Sequence, residues 1–134
     1  MRQRLALLTT AIVVGAAGYW LRFPAPIGPE WRDRFGGVFY VVFWIIVVAI
    51  FIPATRSWRL VLSVFLVTCA LEFAQLWHPA WLEAARGTFV GRVVLGTTFD
   101  WSDFPPYVFG ALLGGALLHG IKSISKAKVG DDAL

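Results

Sequence analysis

The sequence predicts an all-α membrane protein: four transmembrane helices, with an interfacial or re-entrant segment between the third and the fourth. Three observations carry that expectation. Apolar residues make up 58% of the chain and charged ones 15%, far from the balance of a soluble domain. A chain of 134 residues is too small to hide so much apolar surface in a core of its own, which leaves lipid as the remaining solvent. Four apolar runs also approach the ~20 residues that a bilayer core demands.

The first run covers about 5–21, LALLTTAIVVGAAGYWL. It follows MRQR and has the look of a signal peptide, but it continues into YWLR, an aromatic and basic flank typical of a span end. We read it as a retained span. The second run covers about 37–54, and the third about 59–77, ending in LEFAQLW. The fourth, about 106–121, is glycine-rich and the shortest. Trp20, Trp58 and Trp77 fall at span ends, where indole rings sit at the headgroup level. Trp44 is mid-span and calls for a packing role. The segment FPAPIGPEWRDRFGG between the first two runs reads as a surface turn, with Trp31 in the headgroups and no chemistry of its own.

One domain over 1–121 and a short basic cytoplasmic tail over 122–134 account for the chain. With the amino terminus inside, the cytoplasmic side holds Arg2, Arg4, Arg56, Arg59, Lys122, Lys126 and Lys128, and the other side Arg22, Arg32, Arg34, Arg86 and Arg92. That bias places both termini inside. The net charge of +4 comes without the interleaved basic and aromatic residues of a nucleic-acid surface, so membrane lipids are the expected partners and nucleic acid is not. The single cysteine, Cys69, excludes an intrachain disulfide. His78 and His119 make no zinc spacing, and no metal site or cofactor is expected.

Residues 79–105, PAWLEAARGTFVGRVVLGTTFDWSDFP, are too polar to cross a membrane and too apolar for a free loop. Trp81, Leu82, Ala85 and Phe89 recur at helical spacing, which predicts a short helix interrupted by Gly87 and folded against the bundle as a cap. Backbone of that kind survives at membrane depth only when protein shields it or it lines a wet cavity.

The third run carries the residues that most need a reason. Thr68, Glu72 and Gln75 are spaced by four and three and so share one helix face. At ~1.5 Å per residue, Glu72 lies roughly 8–10 Å below the boundary near Pro79. A charge at the bilayer centre costs ~2.5–3.5 kcal/mol on insertion scales, and less at this depth. As a mere interhelical tie Glu72 would return only ~0.6 kcal/mol, so a polar site is the favoured reason for its presence. The partners within reach are Arg86, whose fork can turn back toward Glu72 or Gln75, then Arg92, Asp100 and Asp103. Asp103 also suits the N-terminus of the fourth span. Glu83 reads as a local partner of Arg86 or Arg92, and Gly110 with Gly114 as a close-packing pair.

The order of these residues is familiar. Glu72-x-x-Gln75 at a span end, then Arg86, then Asp103 with Tyr107, Gly110 and Gly114 opening the last span, resembles the VanZ-like superfamily. LGTTFDWSDFPPYVFGALLG looks most like a branch of small bacterial membrane proteins catalogued as a domain of unknown function. The resemblance covers about 36–118. It implies that Glu72, Gln75, Arg86 and Asp103 occupy the family's shared polar positions, and it implies a bacterial cytoplasmic membrane. VanZ-like chains carry an acid or amide a few residues into the last span, where this one has Tyr107 and Gly110, so the teicoplanin-resistance role behind the family's name is not carried over.

The expectation for function is a polar pocket formed by Glu72, Gln75, Arg86, Arg92, Asp100, Asp103 and Tyr107. It would bind the head of an amphiphile such as a phospholipid or polyprenyl-phosphate carrier, with Arg86 and Arg92 holding the anion. Glu72 and Asp103 are the candidate proton-transfer groups should chemistry follow binding. No nucleophile or metal set marks an enzyme. The alternatives are a small proton-coupled transporter or permease, acting as a homo-oligomer, and a non-catalytic membrane scaffold.

Overall fold

The structure, a computed structural model, describes residues 1–132. Within them every regular element is helical: α1 (Arg2–Arg22), α2 (Pro29–Phe51), α3 (Ser57–Ala74), α4 (Ala80–Arg86), α5 (Phe89–Leu95), a 3₁₀ turn (Trp101–Asp103) and α6 (Phe104–Asp132). Four of these, α1, α2, α3 and α6, are long and apolar enough to cross a membrane.

The second helix is the axis of the bundle. It packs along α1 on one side and α6 on the other, and α3 leans on α6. Its Val41, Ile45, Ile46 and Ala49 are wholly buried and meet Leu7 and Ala11 of α1, Leu60 and Val64 of α3, and Leu118 of α6. Leu62, Leu66, Leu112 and Leu113 point outward and are exposed, as residues facing lipid tails should be. Trp44 has the packing role expected of it, edge-on to Tyr40 and Phe43 at 6.3 and 5.5 Å.

Gly110 and Gly114 are the seam between α6 and α2. A Cβ at Gly110 would stand 2.7 Å from the Val38 carbonyl oxygen and 2.9 Å from the Val41 Cβ, and one at Gly114 would stand 2.7 Å from the Ile45 Cδ1. The absence of side chains lets the two backbones approach, which is what small residues contribute to helix pairs in lipid.

Two expectations about helix ends need correction. The second helix begins at Pro29, well before the apolar run at 37, so PEWRDRFGG is helix and not surface turn. Gly28 is its N-cap, Pro29 sits in the first turn and Glu30 supports the dipole, three ordinary signals of a helix start. The sixth helix does not end near 121 but runs through Asp132, so the basic tail is helical over 122–132. Lys122 Nζ donates to the Thr55 carbonyl at 2.7 Å, fastening the α2–α3 turn to this helix.

Between α3 and α6 the cap folds as two short helices. Gly87 ends α4, and Thr88 starts α5 by accepting the Gly91 N–H at 3.0 Å. The interruption at Gly87 falls where the sequence placed it. Gly91 can only be glycine, because a Cβ there would run into the Ala85 carbonyl oxygen.

Candidate functional site

The helical spacing of Thr68, Glu72 and Gln75 turns all three inward: they are 4%, 1% and 7% exposed. Thr68 satisfies itself, donating back to the Val64 carbonyl at 2.8 Å. Glu72 does not, and its carboxylate is a meeting point for three elements. Tyr107 of α6 donates its hydroxyl to Oε2 at 2.8 Å, Gln75 Nε2 faces the same oxygen at 3.4 Å, and the backbone N–H of Asp100 donates to Oε1 at 3.1 Å. Hydrogen bonds to a carboxylate are among the stronger ones.

These bonds also hang a strap. Residues 94–100 leave α5 and reach the 3₁₀ turn with their backbone held by side chains. Tyr40 of α2 donates to the Val94 carbonyl at 2.6 Å, Gln75 Nε2 donates to the Leu95 carbonyl at 3.1 Å, and Glu72 takes the Asp100 N–H. Gly96 makes the turn at φ +73°, and a Cβ there would also strike the Gln75 amide. That conformation belongs to glycine.

Asp103 closes the site from the far end of the strap and lines the same cleft as Glu72. No arginine or lysine pairs with either acid among the described residues. Asp100 is different. Its side chain accepts the Ser102 N–H at 2.9 Å and starts the 3₁₀ turn, and those bonds hold its carboxyl below the ordinary range.

The two arginines do not share the task assigned to them. Arg86 does not reach Glu72. Its Nη1 donates to the Trp77 carbonyl and to Glu83 Oε1, and its Nη2 to the Ala74 carbonyl, all at 2.8 Å. Those two carbonyls lie at and just beyond the C-terminal end of α3, where backbone acceptors have no intrahelical partner and a cation suits the dipole. At 4% exposure, Arg86 ties the cap to α3 and does not line the cleft. Glu83 pairs with Arg86 and also with His78 at 2.9 Å, and these two partners, His78 first, hold its carboxyl below the ordinary range. Arg92, on α5, does line the cleft. Its guanidinium makes no hydrogen bond or ion pair among the described residues.

A cleft of about 950 Å³ gathers these groups. Its polar end holds Glu72, Gln75, Asp103, Tyr107 and Arg92. Its lining also includes an apolar wall in which Gly15 and Gly18 of α1 pack on Phe43 and Phe39 of α2, with Val14 beside them. The sequence reading missed this wall, along with Tyr40, Gly96 and the Arg22–Asp33 pair at 2.6 Å that also borders the cleft. Small residues in α1 were the available signal, and they read equally well as helix packing. Gln75 carries the remaining loose end: its Nε2 is used, but its buried Oε1 has no hydrogen-bond partner.

Residues 28–111 match the family described as Protein of unknown function (DUF2809). The matched range takes in α2, α3, the cap and the first turns of α6, and with them every polar residue of the cleft named above except Arg22. No solved structure matches the chain.

Proposed function

The chain belongs to the DUF2809 family of proteins of unknown function, and on that premise we propose that its cleft binds a membrane amphiphile, a phospholipid or a polyprenyl-phosphate carrier. The hydrocarbon chain lies along Val14, Gly15, Gly18, Phe39 and Phe43, and the head meets Glu72, Gln75, Asp103 and Tyr107. Arg92 takes the anionic group at the mouth. The observation that carries this reading is the continuity of one cleft from an apolar wall to a polar end with an uncommitted guanidinium. Pockets that hold ligands are of this kind, mostly apolar with a few convergent polar groups.

The setting follows the same reading. The cap is an interfacial lid, its aromatic residues Trp81 and Trp101 in the headgroups beside Trp77 at the end of the third span. The membrane is the bacterial cytoplasmic membrane, with both termini inside and the cap on the outer face. The order Glu72, Gln75, Arg86, Asp103 is the part of the chain that resembles the VanZ-like superfamily, and we take it as a distant relation. In that relation Arg86 would serve the cap and not the ligand.

Native mass spectrometry of the gently extracted protein tests the reading. A lipid-sized ligand should stay bound to the wild type, and Arg92→Ala should lower its occupancy about tenfold, since one hydrogen-bonded charge contact contributes ~1.5–3 kcal/mol. A wild type that carries no ligand under several extraction conditions would remove the reading's main support.

A further inference from the structure

A second cleft, of about 500 Å³, lies between the start of α1 and the last turns of α6 and shares no lining residue with the first. Arg2 and Lys128 are its lining residues nearest the two helix ends. Leu5 and Ile124, 64% and 61% exposed, give it apolar sides. Thr9 and Thr10 spend their hydroxyl hydrogens on the Leu5 and Ala6 carbonyls at 2.9 and 2.7 Å, so they bring no donor. Lys128 and Ser125 make no side-chain hydrogen bond or ion pair among the described residues, whereas Arg2 already has an interaction within the chain. The cleft thus offers an ammonium and a hydroxyl over apolar sides, and none of its described lining residues is acidic. The surrounding charge agrees. Seven of the twelve basic residues stand at this end of the bundle, with only Asp131 and Asp132 of the eight acids, while the opposite end has five basic residues against six acids. The chain's net charge of +4 is therefore concentrated around this cleft.

We propose that this second cleft seats an anionic phospholipid, with its phosphate on Lys128 and Ser125 and its acyl chains along Leu5 and Ile124. Arg2 adds its charge beside the phosphate. This rests on the membrane setting of the four spans and is independent of what the first cleft holds. A lysine ammonium supplies up to three donors and no acceptor, and its bond to a phosphate oxygen is charge-assisted. Basic residues near the end of a spanning helix also attract anionic lipid electrostatically. A zwitterionic head brings a cation of its own, which would stand against Lys128 and Arg2 with no lining carboxylate to receive it. A soluble phosphate has the charge but leaves Leu5 and Ile124 bare. Lysines at helix ends reach headgroups without any cleft, so what distinguishes a site here is position: Lys128 lines the cleft and Lys126, two residues earlier on the same helix, does not.

The test places the full chain in phosphatidylcholine nanodiscs with a trace of phosphatidylglycerol or phosphatidylcholine, each bearing a diazirine high in one acyl chain. Label on residues 5–9 and 124–128, read by peptide mass spectrometry, should be about tenfold greater from phosphatidylglycerol, the effect of two basic residues on one net negative charge. Lys128→Glu should cut that preference to about twofold or less. Lys126→Glu makes the same change of charge outside the cleft and should leave it at about fivefold or more. Equal labelling by the two lipids overturns the proposal. Equal losses in Lys128→Glu and Lys126→Glu also overturn it, since they would show a diffuse attraction and no site. Millimolar glycerol phosphate should leave the label in place; displacement would make the ligand a soluble phosphate and overturn the lipid assignment. The wild-type preference requires no variant, so a substitution that fails to fold leaves the test intact.

Discussion

Arg86 and Arg92 are six positions apart on the same cap, and their surroundings give them opposite tasks. Arg86 is buried, with two main-chain carbonyls and Glu83 on its guanidinium. Arg92 is exposed at the cleft and makes no side-chain hydrogen bond or ion pair among the described residues. Removing Arg86 takes a donor from the Trp77 and Ala74 carbonyls at the end of α3 and unfastens the cap, so Arg86→Ala should destabilise the protein by about 2–4 kcal/mol, the range for losing one partner of a buried polar set. Arg86→Lys should recover little of it, because a point charge cannot serve both carbonyls as a planar fork does. Thermal unfolding in detergent, followed by circular dichroism, measures both; an Arg86→Ala melting curve that overlays the wild type would contradict the assignment. Sequence alone placed both arginines near the third span but could not divide them. Which acceptors a fork finds depends on where the α3 carbonyls end, and that depends on a helix terminus at Ala74 and Gln75 that hydropathy does not mark.

Hydropathy located all four spans, because a lipid-crossing helix must be apolar along its length. It misjudged where helices stop for the same reason: it registers contact with lipid, not backbone conformation. PEWRDRFGG and the basic segment after Ile121 are too polar to lie in hydrocarbon, yet both are helical. The small-xxx-small spacing of Gly110 and Gly114 gave the α6 seam correctly because close approach has only one cheap solution. That seam makes a graded prediction. Gly110→Ala drives a Cβ against the Val38 backbone and should cost about 1–3 kcal/mol, the usual range for overpacking. Gly114→Ala meets first the end of the Ile45 side chain at 2.7 Å, which can rotate away, and should cost less. Paired unfolding curves of the two variants check this, and equal losses or a reversed order would mean that α6 and α2 are not in this register.

At the scale of the whole molecule, the cleft depends on parts of the chain that are far apart in sequence. At its polar end the acids come from α3 and the 3₁₀ turn and Arg92 from α5, while its apolar wall comes from α1 and α2. The polar residues were legible individually, since Glu72 and Gln75 in a span need a reason wherever they occur. The wall was not, because Gly15, Gly18, Phe39 and Phe43 are unremarkable in a membrane helix until two helices stand side by side. The central claim is that this wall and the polar end hold one lipid, distinct from the lipid that surrounds any membrane protein. Photolabelling in nanodiscs with a phospholipid bearing a diazirine in its acyl chain, mapped by peptide mass spectrometry, tests it most directly. The account predicts label concentrated on Val14–Gly18 and Phe39–Phe43 and reduced severalfold there by Arg92→Ala. Label spread evenly over the outward-facing Leu62, Leu66, Leu112 and Leu113, and indifferent to Arg92, would contradict it.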